Sequence, residues 1–257
     1  MKRVVLFLIL AATATSVVAG VYTPQSVPNP KRWGQNYYVS NPDGILSSAA
    51  VDSLNNLAWA LEQASGVEMA IVVLGSFRMT EDQAPNSCEL FDFNFELFNL
   101  WGIGSAETNR GLLITVSYDD HQMFMSTGTS LDDELPDATC LYIQKTYMHP
   151  HFKEGDYDRG VIDGVIAVFG YLTDNRAKEK IDNAVENGDD DPVNTFLTIV
   201  IFVGIIFFGL RWARRGGGDD SGGSYSGSSS SWGSSSSSSG GSWGGGSTSG
   251  GGAGSRW

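Results

Sequence analysis

The sequence predicts an α/β domain, a small mixed sheet layered between helices in an α/β/α sandwich. A C-terminal transmembrane helix and a disordered tail follow it. Three observations predict the domain. Residues 67–74 (VEMAIVVL) and 111–117 (GLLITVS) are short β-rich apolar runs of the kind that form buried strands. Residues 122–127 (QMFMST) alternate and follow an Asp-Asp pair, which reads as the second arm of a hairpin. Amphipathic helical segments stand before, between and after these runs, giving the order αβαββαα of a layered domain.

Residues 1–20 carry Lys2 and Arg3, a short apolar core and small residues at Val17 and Ala19, the pattern of a secretory signal peptide. Residues 21–40 are rich in proline and polar groups and read as an extended leader. The first helix starts after Ser47, a candidate N-cap, and stops at Gly66, with Val51, Leu54, Leu57, Ala58 and Leu61 on one face. Residues 87–101 predict a second helix with Leu90, Phe91, Leu97, Phe98 and Trp101 inward. Pro136-Asp137 opens a helix toward Met148, and residues 157–172 give the last, with Asp156 as its cap. The domain is bounded at residues 41–175, with an acidic linker at 176–192. Residues 193–213 form an apolar run that includes Arg211 near its end and is followed by Arg214 and Arg215, read as a single membrane span. By the positive-inside rule the tail stays cytoplasmic and the domain is exported, periplasmic or extracellular, in a single-pass protein of the cell membrane. Residues 214–257 are nearly all Gly and Ser, cannot bury a core, and are expected to be disordered and of low complexity.

Between residues 21 and 192, 10 Lys and Arg face 27 Asp and Glu, a net charge of −17. Such a field repels nucleic acid and attracts cations. Cys88 and Cys140 are the only cysteines, and export permits a disulfide between them; two buried small hydrophobes is the other reading. Between residues 21 and 192 there is no Gly-x-Ser-x-Gly and no cysteine with a His near it in sequence, so no nucleophile stands out and the catalytic residues are unknown. His149 and His151 could give a metal two ligands, short of the three or four that zinc needs. Asp119 and Asp120, read alone, are turn formers.

Three stretches carry a family resemblance: NPDGILSSAAVDSLNNLAWALEQASGVEMAIVVLGS, LFNLWGIGSAETNRGLLITVSYDDHQMFMSTGTSLDDELPDA and HFKEGDYDRGVIDGVIAVFGYL. Together they resemble the TPM domain of thylakoid lumen, photosystem II repair and nematode receptor modulator proteins. The order of signal peptide, domain, span and Gly/Ser tail is similar to the bacterial members. The resemblance implies an α/β/α sandwich, divalent-ion binding in some members and a weak acid phosphatase activity. It places Asp43, Asp119, Asp120 and Asp137 on the family's acidic positions and implies that they converge at one sheet edge. His121 stands where the family usually has Arg or Lys, and Asp132 replaces a Glu.

Two functions follow. The first is a membrane-anchored accessory or binding module. Its exported domain holds a divalent cation at Asp43, Asp119, Asp120 and Asp137, Ca²⁺ before Mg²⁺ because the ligands are hard oxygens, and works with partner membrane proteins. The second is a metal-assisted acid phosphatase acting on a phosphate ester. The negative field disfavours an anionic substrate, and the only basic group in view is Arg110.

Overall fold

The structure, a computed structural model, describes residues 20–188 and 241–257. The expected signal peptide, apart from Gly20, and the expected span at 193–213 lie outside the described residues. Among the described residues no helix is long and apolar enough to cross a membrane.

The core is a mixed sheet. Its centre is β3 (Glu68–Leu74) and β5 (Gly111–Ser117), parallel and in register from Glu68↔Gly111 to Leu74↔Ser117. Every residue of both strands is buried, which is why both read as unbroken apolar runs rather than alternating ones. β2 (Val39–Ser40) adds parallel to β3, and β6 (Gln122–Thr127) folds back antiparallel on β5. The hairpin and both central strands thus match the sequence reading. A separate pair, β1 (Val21–Tyr22) with β4 (Ser76–Phe77), is parallel.

Helix α1 (Ser48–Ser65) begins where the Ser47 hydroxyl accepts the Ala50 amide at 3.2 Å and ends at Gly66, whose φ of +70° suits glycine. It packs on β3 and on α5 (Tyr157–Thr173). The Asp156 carboxylate caps α5 by accepting the Arg159 amide at 3.0 Å. Helix α2 (Leu90–Trp101) lies against β5 and β6. Its buried stripe is Leu90, Phe93, Asn94, Leu97 and Phe98, the 3-and-4 spacing of one helical face. Phe91, expected inward, is instead 41% exposed, because the helix starts at Leu90 and residue 91 falls off that stripe. The helix expected from residue 136 to 148 is interrupted: α3 (Asp137–Ile143) passes into a π-helical segment (Gln144–Met148) before α4 (His149–Lys153).

Three expectations are corrected. The leader is part of the domain, since Val27, Lys31 and Tyr38 are buried and β2 joins the sheet. The acidic linker begins as helix α6 (Asn175–Asn187), which buries Ala177 and Ile181 and packs on α3 and α5. The tail is not disordered throughout. Residues 251–256 form β7 (Gly251–Arg256), paired antiparallel with all six residues of β6, giving the order β2-β3-β5-β6-β7. Composition counted what the tail could bury by itself, not the backbone partners that an open strand lends it.

No disulfide forms. Cys88 and Cys140 are both free thiols. Cys140 is buried in α3, the helix that packs on β7 and α6, whereas Cys88 is half-buried just ahead of α2. Burial pushes the Cys140 thiol up to about 12, so it behaves as a small hydrophobe.

Phe98 is fully buried, and its ring lies where a Cβ on Gly111 would be 2.7 Å away, so helix and strand are closely fitted there. Phe98→Ala should cost about 3–5 kcal/mol through the cavity it leaves, read as a lowered denaturant midpoint at unchanged slope.

Candidate functional site at the carboxyl edge of the sheet

β2, β3 and β5 are parallel, so their carboxyl ends open on the same edge, the usual position of a site in such a sheet. β2 runs into the turn holding Asp43, β3 ends before Gly75, and β5 ends before Tyr118. Gly75 is the hub. Its amide donates to Asp43 Oδ2 at 2.8 Å, and its carbonyl accepts the Asp119 amide at 2.9 Å. Ser117 Oγ lies 3.1 Å from that carbonyl and 2.5 Å from Asp120 Oδ2; its single proton goes to the nearer carboxylate. The β5–β6 turn is tight, with His121 at φ +51° and its Nδ1 3.4 Å from the Asp119 carbonyl.

Three of the four expected residues are therefore linked through Gly75: Asp43 by its carboxylate, Asp119 by its backbone amide and Asp120 by way of Ser117. Asp43 is already occupied. Its Oδ1 accepts the Gly20 amide at 2.7 Å and the Tyr22 hydroxyl at 2.9 Å. Burial, followed by this carboxylate, raises Tyr22 to about 12. Asp43 thus ties the chain entry to the end of β3.

Asp137 does not join them, and this corrects the expected site. Its Oδ1 accepts the Gly252 amide at 2.7 Å, and Gly252 pairs with Ser126 near the far end of β6. Asp132 is at that end too, bonded to Thr127 Oγ1 at 2.5 Å. Six residues of strand separate the two ends, about 17–20 Å at the usual rise per residue. A hairpin sends its turn to one edge of the sheet and the loop after its second arm to the other.

The four-carboxylate set consequently does not fit a metal ion. Among the described residues no group of three or more His, Cys, Asp or Glu is placed to hold one. None of the described ion pairs engages Asp43, Asp119, Asp120 or Asp137. His149 and His151 diverge as well: His149 Nε2 is 2.8 Å from Ser255 Oγ, and His151 Nε2 is 3.0 Å from Asp163 Oδ2.

Sequence reading missed the aromatic wall beside this edge. Trp257 packs 4.7 Å from Phe152 and 5.7 Å from His121, ring centre to ring centre, and Tyr118 packs 4.9 Å from Tyr157. It also missed a buried ion pair, Lys31 with Glu68 at 3.5 Å. The only signal for either was tryptophan recurring in an otherwise Gly/Ser tail.

Two outcomes follow from this geometry. Asp43→Ala should strip an acceptor from two amides and a hydroxyl and destabilise by about 1–3 kcal/mol, a loss that chelator does not reproduce. The second concerns His149, which burial, then Lys153 and Lys145, hold down at about 4. A lowered histidine is neutral in the fold while the unfolded chain protonates near 6.5. Its contribution is thus complete above pH 6.5 and is lost as pH falls through 4. Thermal melts from pH 7 to 4 should fall less steeply for His149→Gln than for the parent chain.

A family model described as TPM domain matches residues 39–171, more than half of the chain. No curated protein matches it. Among solved structures, the solution NMR structure of the N-terminal domain of a protein from P. gingivalis is similar, at 33% identity and a TM-score of 0.53. The match covers 60% of this chain and 92% of that one. The matched span runs from β2 into the last turn of α5 and holds Asp43, Gly75, Asp119 and Asp120 together, and on this evidence the chain belongs to the TPM domain family.

Proposed function

We propose that this TPM-domain protein is a membrane-anchored accessory module that works by binding, and that its partners are membrane proteins engaged at the acidic carboxyl edge. The observation that carries the reading is the pair Asp119 and Asp120 on a rigid turn. Hydrogen bonds to Gly75 and Ser117 fix the turn, and no described ion pair neutralises the two carboxylates. Two adjacent carboxylates in a domain of strong negative charge attract a divalent cation. They supply too few oxygens for the six to eight that Ca²⁺ takes, so the remaining ligands come from water and from the partner. The cation is then a bridge rather than a resident cofactor. Anchoring rests on the apolar run at 193–213 and export on the signal-like residues 1–20.

The phosphatase reading gains no support from the geometry. A phosphoryl group needs cationic partners at the reacting centre, and Arg110, the basic residue in view, is paired with Glu134 at 2.6 Å.

Calorimetry and thermal melts of the full chain in Ca²⁺, Mg²⁺ and chelator test the proposal. Ligand in hundredfold excess over Kd should add about 2.7 kcal/mol, and Asp120→Ala should erase the difference. Equal melts with no heat of binding refute the cation bridge. Phosphomonoester turnover that disappears in Asp120→Ala would convert the assignment to hydrolase.

A further inference from the structure

Residues 241–257 are held against the domain by three different kinds of contact. The first is backbone pairing of β7 along β6. That pairing admits only a small residue where Gly252 stands, at φ +121°, since a Cβ there would lie 1.9 Å from the Met125 carbonyl oxygen. The second is a polar clasp from the neighbouring helices. Asp137 accepts the Gly252 amide, Gln144 Nε2 donates to the Ala253 carbonyl at 2.7 Å, and Ser255 bonds both Gln144 Oε1 and His149. The third is a pair of aromatic seats. Trp257 rests among Phe152, His149 and His121. Trp243 stacks on Trp101 with ring centres 5.8 Å apart and planes 8° from parallel, donates to Asn29 Oδ1 at 3.0 Å, and lies under the Lys31 ammonium at 4.4 Å.

Several of these groups are explained only by the segment. Gln144 is fully buried, and both ends of its amide go to β7. It opens the π-helical segment, a rare geometry that is often found at functional sites. Glu68 Oε2 accepts the Gly244 amide at 3.0 Å beside the Gly104 amide at 2.9 Å, so a buried carboxylate is satisfied partly by the tail. Addition of an extended peptide to an open sheet edge, with side-chain pockets fixing its register, is a general mode of peptide recognition.

We infer that residues 241–257 are the resident ligand of a strand-binding site on the TPM domain. The site comprises the β6 edge, the clasp of Asp137, Gln144 and His149, and the two aromatic seats, and it takes an extended glycine-rich peptide carrying tryptophan. Domain and distal segment then occupy the same compartment, so the inference replaces the single crossing at 193–213 and the cytoplasmic tail expected from Arg211, Arg214 and Arg215, and anchoring through that run has to leave both on one face of the membrane. The inference does not depend on the cation bridge, and its test uses no metal.

The test is amide exchange in the full chain, in detergent and in sealed vesicles. Residues 122–127 should exchange at least tenfold faster in Gly252→Val than in the parent, with Trp257→Ala between them. A labelled peptide of residues 241–257 should bind Gly252→Val, restore its protection, and fail to do so when the peptide itself carries Gly252→Val. A protease added to one side of sealed vesicles should cut segment and domain together. Equal exchange in parent and Gly252→Val overturns the inference, as does failure of the peptide to bind, or protease access to domain and segment from opposite sides. Protection that rises with protein concentration means that the strand comes from a second copy, and overturns the assignment of the chain's own segment.

Discussion

The fold closes around one buried charge pair. Lys31 is 1% exposed and its ammonium sits 3.5 Å from Glu68 Oε1, 2.7 Å from the Gln35 carbonyl and 3.8 Å from the centre of the Tyr38 ring. An unpaired ion so deep costs several kcal/mol, so each of these partners must be delivered for the core to form. They come from distant parts of the chain: the leader, the first residue of β3, the turn after α2 at Gly104 and the distal segment at Gly244. Burial lowers the Lys31 pKa while Glu68 pulls it back up, so the charge on the buried ammonium depends on its carboxylate partner. Such a pair adds little net stability but rejects arrangements that leave one partner alone.

The carboxyl edge is organised by a carboxylate too, in a different way. Asp43 gathers two amides and a phenol from the chain entry and the end of β3, which leaves Asp119 exposed and Asp120 half-buried, one carboxylate oxygen on Ser117, at the hairpin tip. Three acidic side chains of the same chemical type thus divide into one that builds the edge and two that it presents. The division is decided by reach. Asp43 lies in a turn folded back over Gly75, whereas Asp119 and Asp120 sit at the tip of a hairpin whose own hydrogen bonds are already complete.

Much of this was legible because it is written in periodicity. β3, β5 and β6 could be read from runs of six or seven residues, and α1 from its cap, its stop and a single apolar face. Where a segment borrows its stability from a distant partner, local pattern fails. Helix α6 is strongly polar and contributes only Ala177 and Ile181 to the core, so it read as linker. Residues 241–257 have almost no side chains to bury, and their order comes from the β6 edge and two tryptophans. The acidic site was half legible for the same reason. Sequence listed the carboxylates, but which end of β6 each one reaches is a property of topology, and Asp137 goes to the other end.

β7 also changes what the rest of the sheet can do to its neighbours. β6 carries Met123, Phe124 and Met125 in succession, and a strand of that composition left open along one side is a template for growth by further strands. Gly251–Arg256 covers it with a strip that has almost no side chains, and two of the strip's remaining backbone groups, the Gly252 amide and the Ala253 carbonyl, are taken by Asp137 and Gln144. A chain deprived of that strip would be expected to keep its fold and lose its solitude, with copies joining edge to edge in proportion to their concentration. Glycine and serine, which as a tail look like mere spacing, here act as an antifouling layer on the sheet.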